Sequence, residues 1–289
     1  MEDPAPLATI LGYMAITAFY AGELERAISL AERSLALDEA AGDLDGIAFA
    51  LSFLGSCHKS RGEYARASTC FTRSVAIYEQ MGDELGQAMT LNNLGNLAQA
   101  QGDFAAAHDY YLACSRLFQA HNHTHGAATT LANAGRLARK LGNLAEAAAL
   151  LHESLTLKRQ IHDGRGVVIA LIGLADVAMA AGDGQSARTY LAEALVLAQQ
   201  VGEVKLMLEG LAVWGTLRCQ ESADPLPGAR LLAFVVAHPA LPQEVRDQVE
   251  KTCATLQPAL WARAAAWASA QTLPALITAA VTELASSAQ

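Results

Sequence analysis

The chain has 289 residues, 52% of them hydrophobic, 17% charged and only 6% aromatic, and its formal charge is −9. A chain this apolar can bury a core and is not a disordered segment, and its acidic balance lacks the basic footprint of a nucleic-acid binder. Five cysteines (Cys57, Cys70, Cys114, Cys219 and Cys253) form no CxxC pair and no zinc-ligand spacing, which predicts free thiols in a reducing cytoplasm, mostly buried as small hydrophobes, and no metal or other cofactor.

The opening, MEDPAPLATILGY, has no positively charged run and does not read as a secretory leader. The chain holds no uncharged apolar run of the roughly 18 residues that a membrane span needs. From here a pattern of period 40 begins. Gly22, Gly62, Gly102, Gly142 and Gly182 share one column, and Ala27, Ala67, Ala107, Ala147 and Ala187 stand five residues on. Leu11, Leu51, Leu91, Leu131, Leu171 and Leu211 form a second column, followed four residues later by Ala15, Gly55, Gly95, Gly135, Ala175 and Gly215. Leu37, Ile77, Leu117, Leu157 and Leu197 recur further on, and Gly46, Gly86, Gly126 and Gly166 mark the unit boundaries.

Each column has a mechanical reading. Glycine at the 22/62/102 column accepts the left-handed backbone that ends a first helix. The residue after it (Glu23, Glu63, Asp103, Asn143, Asp183) is suited to cap a second one. Small residues in mid-helix let two helices approach, and one pair alone cannot bury its apolar face, so pairs must stack. The predicted unit is a helix, a tight turn and a second helix.

The pattern LxxLGxxxxxxGxxxxA, followed two residues after its second glycine by an aromatic or leucine, resembles the tetratricopeptide repeat (TPR). Leu51, Leu54, Gly55, Gly62, Tyr64, Ala67 and Phe71 carry it in the second unit, and Leu91, Leu94, Gly95, Gly102, Phe104, Ala107 and Tyr111 in the third. The resemblance covers residues 8–206 well and 207–236 weakly. The period exceeds the usual ~34 residues, so either the helices are about a turn longer or the loops are. The unit-ending proline is absent, Met14-Ala15 replaces the leucine-glycine pair of the first unit, and Gly184 stands where an aromatic or leucine belongs, which predicts a poorly packed second helix there.

After Gln220 the phase breaks. ESADPLPG reads as a loop, and three or four further helices follow across 229–284, with Trp261 and Trp267 packing the terminal face. The expected division is a solenoid over 1–220, with five clear repeats and a degenerate sixth, and a helical cap over 221–289. This tail resembles the C-terminal TPR sensor region of bacterial signal-transduction (STAND-type) ATPases and transcription regulators. No GxxxxGK[ST] phosphate loop and no evident helix-turn-helix is present, so the resemblance implies a sensor portion or a lone relative.

What the resemblance implies is an all-α, right-handed superhelix of antiparallel helix pairs whose first helices line a concave face. Carried onto this sequence, the groove-facing positions are Phe49, Ser52, Ser56 and Lys59; Met89, Asn92, Asn96 and Gln99; Thr129, Ala132, Arg136 and Arg139; and Ile169, Ile172, Asp176 and Met179. Asparagine amides pair with an extended peptide backbone, and arginines hold a carboxylate or phosphate. The alternative is that Asn92 or Asn93 bonds a neighbouring helix and the arginines are solvated.

His121, His123 and His125 alternate in a loop, but no carboxylate or cysteine accompanies them at a metal-binding spacing; the reading is a solvated loop. Ser68, Ser74 and Ser154, and Cys70 and Cys114, fall in structural columns rather than beside a base. The sequence therefore predicts a non-catalytic cytoplasmic module that binds a protein, a peptide or a small effector. An ATPase or effector domain in cis or in trans is a further partner, and nucleic acid and membrane are not. The rival reading is a scaffold that self-associates through a solenoid end, so an oligomer is possible.

Overall fold

The computed structural model describes residues 5–286 and contains helices and no strand among them. The helices are α1 (Ala5–Tyr20), α2 (Leu24–Ala41), α3 (Leu44–Ser60), α4 (Tyr64–Met81), α5 (Glu84–Ala100), α6 (Phe104–Ala120), α7 (Thr124–Lys140), α8 (Leu144–Gln160), α9 (Gly164–Ala180), α10 (Gly184–Val201), α11 (Val204–Glu221), α12 (Leu226–Ala237), α13 (Gln243–Cys253), α14 (Pro258–Ala268) and α15 (Leu273–Ser286). They divide into two compact units, Met1–Leu141 and Gly142–Gln289.

The long period resides in the helices. α3 and α5 to α9 have 17 residues each, α2, α4 and α10 have 18, and two- or three-residue turns join them. A turn therefore falls every twenty residues, at both ends of each hairpin. Gly22, Gly42, Gly62, Gly82, Gly102, Gly142, Gly182 and Gly202 take φ between 69° and 88° there, and Asn122 (54°) and His162 (55°) occupy the same seat. The pattern of period 40 showed only half of these turns, because the seat at 42, 82, 122, 162 and 202 is not uniformly glycine.

Gly46, Gly86, Gly126 and Gly166 are not turns but lie in the first turns of α3, α5, α7 and α9. A Cβ on Gly46, Gly86 or Gly126 would meet Asp38, Tyr78 or Phe118 at 2.5–2.7 Å, and one on Gly166 would meet Lys158 at 2.5 Å. Each glycine thus admits a large side chain from the second helix before it. Mid-helix, Phe71 and Tyr111, both fully buried, lie on Gly55 and Gly95, where a Cβ would come within 2.6 and 2.8 Å of a ring carbon.

Capping differs from expectation. Asp103 and Asp183 accept from the amides of Ala106 and Ser186, but Glu23, Glu63 and Asn143 make no cap bond. Glu23 instead pairs with Arg26 and Glu63 with His58, because the longer glutamate reaches past the helix end. The consistent caps are at the other turns, where Asp43, Asp83, His123 and Asp163 accept from the amides of Gly46, Gly86, Gly126 and Gly166.

A buried hydrogen bond ties helix pairs together. Ser34, Ser74 and Cys114 each donate to a carbonyl 26 residues earlier, Ala8, Ala48 and Ala88, at 2.8, 2.8 and 3.0 Å. This explains a small polar column in the second helices.

In the second unit α10 is not poorly packed. Ala187, Leu191, Ala194, Leu195 and Ala198 are all fully buried. Gly184 instead makes room for the Glu221 carboxylate, which pairs with Arg188 at 2.5 Å. The chain after Gln220 forms four helices. The loop is shorter than ESADPLPG, since α12 begins at Leu226 with proline tolerated in its first turn. Gly215 and Gly228 bring α11 and α12 close, with a Cβ on Gly228 only 2.5 Å from the Gly215 carbonyl. α14 packs on α12, and α15 packs on α10 and α11, where Arg218 meets Glu283 at 2.5 Å. Trp261 and Trp267 are half-buried against this core, and Arg230 lies 5.3 Å above the Trp267 ring.

Asp38 is buried, and burial first, then the charges of Asp43 and Asp45, raise its pKa against the opposing bond from Ser34. With a folded pKa above the unfolded one, its contribution is fully favourable below the unfolded value and is lost as pH rises through the folded value. Asp38→Asn is expected to be more stable than the parent chain at pH 7 and to lose this part of the pH dependence; urea-unfolding midpoints from acid to neutral pH check it.

Candidate functional site

The first helices of the first unit, α1, α3, α5 and α7, line an open groove of about 560 Å³. Its walls include Ile16, Phe19 and Tyr20 of α1; Phe49, Ser52, Phe53 and Ser56 of α3; Met89, Thr90, Asn92 and Asn93 of α5; and His125, Thr129 and Thr130 of α7. Tyr78 and Phe118 reach it from the second helices through the gaps left by Gly86 and Gly126.

Of the residues expected from sequence, Phe49, Ser52, Ser56, Met89, Asn92 and Thr129 meet here. Phe49 is 48% exposed and Met89 63%. Ser52 accepts from the Asn93 amide at 3.3 Å, a bridge between α5 and α3; Asn93, not Asn92, is thus the asparagine that bonds a neighbouring helix. The Asn92 side chain makes no hydrogen bond within the described residues, so its amide faces the groove with both donor and acceptor uncommitted.

The other positions do not line this groove. Asn96 and Gln99 accept from the Tyr111 hydroxyl at 2.7 and 3.2 Å, holding the ring over Gly95; burial pushes that phenol up to about 12. Lys59 is half-buried near the end of α3, and burial lowers its pKa. Arg136 is exposed and Arg139 half-buried on α7. Ala132 is buried, which removes it from any ligand-facing surface. Ile169, Asp176 and Met179 lie half-buried on α9 of the second unit. Ile172 is buried there, its Cδ1 within 3.9 Å of where a Cβ on Gly210 of α11 would stand. This column lies at the seam between neighbouring first helices, so an apolar residue in it packs sideways instead of facing out.

Among the described residues, no Asp, Glu, Lys or Arg lines the groove. Burial first, then Asp45 and Asp83, push the Tyr78 phenol up to about 12, so it stays neutral. The arrangement suits an uncharged segment carrying a large apolar side chain. The α1 contribution of Ile16, Phe19 and Tyr20 was missed because the groove positions were carried only onto the second to fifth units, although the register of Leu11, Ala15 and Gly22 places Ile16 and Phe19 in the columns of Ser56 and Lys59.

The three histidines separate. His121 pairs with Glu84 at 2.7 Å, His123 stacks on Phe118 and caps α7, and His125 lines the groove. No group of three or more His, Cys, Asp or Glu side chains is placed to hold a metal among the described residues. Burial pushes the thiols of Cys57, Cys219 and Cys253 up to about 11 and that of Cys114 to about 12, and Ser74 and Ser154 are fully buried. No single helix among the described residues is long and apolar enough to cross a membrane.

Solved structures share this fold at low identity. The STAND protein PH0952 of Pyrococcus horikoshii, which has a tetratricopeptide repeat sensor, is 14% identical, with a TM-score of 0.73; the match covers 86% of this chain but only 39% of that one. BtubC from P. vanneervenii is 21% identical, with a TM-score of 0.64 over 69% of this chain and 83% of that one. The Rap conjugation gene regulator of plasmid pLS20, solved with the Phr* peptide, is 14% identical, with a TM-score of 0.60 over 95% and 75%. No curated protein matches the chain. The family model of the MalT-like TPR region matches residues 8–209, the same stretch in which the hairpins repeat, and the chain belongs to that family.

Proposed function

We propose that the protein is a non-catalytic binding module that takes a peptide or protein segment in the first-unit groove, as the sensor or regulatory part of a bacterial signalling ATPase or transcription regulator. One observation carries the reading: exposed Phe49 and Met89 flank the uncommitted Asn92 amide in a groove to which no charged side chain among the described residues contributes. Exposed apolar surface of this kind marks an interaction site, and the amide supplies the donor and acceptor that a peptide backbone needs. The Rap regulator solved with a peptide, and the sensor repeats of the STAND protein, support the same reading. Residues 221–289 serve as the cap of the repeat array. The thiols and serines in the helix columns serve packing.

The test is selection of peptides from a random phage-displayed library on the immobilised full chain. Peptides so selected are expected to bind Phe49→Ala/Met89→Ala at least about tenfold more weakly, the equivalent of ~1.4 kcal/mol. Undiminished binding to that variant would overturn the groove as the site.

A further inference from the structure

We infer that His123 is a proton-sensitive latch on the first-unit groove, holding the wall made by Phe118 and α7 in place only while its imidazole is neutral. Four first helices begin on a side-chain cap to a glycine amide three residues on. Three of these caps are carboxylates, Asp43, Asp83 and Asp163, and the fourth is His123, whose Nδ1 lies 3.1 Å from the Gly126 nitrogen. A backbone amide can only donate, so Nδ1 accepts and the neutral ring holds its hydrogen on Nε2. The same ring stacks on Phe118, with centroids 4.8 Å apart and planes inclined by 29°. Phe118 lines the groove and lies against Gly126, where a Cβ would meet its ring at 2.7 Å. One imidazole thus fixes the first turn of α7, which brings His125, Thr129 and Thr130 to the groove, and the aromatic ring beside them.

Protonation removes the cap. Imidazolium carries a hydrogen on both nitrogens and accepts on neither, so the Gly126 amide loses its acceptor and faces a second donor. The added charge also stands at the positive end of the α7 dipole. The ring must turn away from Gly126, and turning takes it off Phe118. An aspartate cap has no proton to gain between about pH 5 and 8, the range in which histidine changes charge. His123 is exposed, so the proton reaches it. The other charged and titratable groups around the turn are committed elsewhere or distant. From α5, Asp83 caps its own helix and Glu84 pairs with His121 at 2.7 Å. On α6, Arg116 is exposed, and Asp103, His108 and Asp109 belong to the opposite end. On α7, His125 lines the groove and Arg139 and Lys140 lie in the last turn. Among the described residues, none of these bonds or pairs with His123. The capped, stacked arrangement is therefore present at higher pH and lost as pH falls.

Two measurements test the latch, whose effect on affinity rests on the groove being the binding site. Without any ligand, NMR of the isotope-labelled full chain between pH 5 and 8 follows the His123 imidazole, the Gly126 amide and the Phe118 ring. The three are expected to change together, with exchange protection of the Gly126 amide falling about fivefold on protonation, the worth of one N-cap. In His123→Asp, which restores the residue of the other three turns, the Gly126 and Phe118 signals are expected to stay constant; His123→Asn, an equally good cap without a proton to gain, serves if that variant does not fold. A selected peptide with no titratable side chain is expected to bind the parent chain about fivefold more weakly at pH 5.5 than at pH 7.5. The same ratio is expected in His125→Gln, whatever its absolute affinity, and none in His123→Asp. Gly126 and Phe118 signals that stay still while His123 titrates overturn the latch, as does a pH ratio that survives in His123→Asp. Were no groove peptide found, the binding reading would fail, and the ligand-free signals would still decide the latch.

Discussion

Phe71→Ala is expected to lower the unfolding free energy by about 3–5 kcal/mol, the usual cost of emptying a fully enclosed aromatic site. Phe71 has no exposed surface and rests on Gly55, so the neighbouring helices cannot collapse into the space without shifting α3 against α4. The glycine makes a second, sharper test. Gly55→Val inserts a side chain where the ring already stands within 2.6 Å of a bare Cβ, and overpacking of this kind costs about 1–3 kcal/mol or more. If the two residues form one size-matched seat, Gly55→Val/Phe71→Ala loses less than the sum of the single losses, because the valine enters the vacated space. Urea unfolding of the four proteins measures the coupling; additive losses would show that glycine and ring do not share the space.

Asp163→Ala is expected to cost about 3–5 kcal/mol, the penalty for breaking a buried ion pair from one side. Lys158 is 5% exposed, and its ammonium lies 2.9 Å from the Asp163 carboxylate, whose other oxygen accepts from the Gly166 amide at 2.8 Å. One carboxylate thus serves an enclosed cation and a helix N-terminus together. The equivalent seat in the third hairpin is filled by Phe118, which shows that the site accepts an apolar side chain. Lys158→Met/Asp163→Asn is therefore expected to recover most of the loss, since methionine needs no counter-charge and asparagine still caps. Thermal melts of the parent chain and the two variants check this ordering, and a double variant no better than Asp163→Ala would contradict it.

These two sites mark the boundary between what a repeating sequence announces and what it conceals. Gly55 and Gly95 are visible because a backbone-level requirement, a helix surface with no Cβ, admits one residue type and so recurs. The seat filled by Asp38, Tyr78, Phe118 and Lys158 is equally structural, yet it is invisible as a column, because anything large that satisfies its own polar atoms fits over the facing glycine. In the fifth hairpin the sizes are reversed, with Ala198 in the large seat and Leu206 in the glycine seat, both buried. Gly184 misled for the same reason, since its role depends on Glu221, 37 residues away, and not on its own column.

The candidate site divides in the same way. That first helices form a wall followed from the register, and six of the expected positions do line the groove. Asn92 and Asn96 were indistinguishable by spacing, one turn apart on one helix. Tyr111 separates them by taking Asn96 as its acceptor and leaving Asn92 unbonded.

By itself the sequence determined the hairpin unit, its stacking and the tight turns, because left-handed backbone and close helix contact each restrict a position to very few residues. The tertiary structure alone decided which side-chain amides are already spoken for and which large side chain fills the space over each facing glycine. Those outcomes depend on contacts such as those between residues 15 and 41 positions apart, which many side-chain combinations satisfy, so no repeated letter records them.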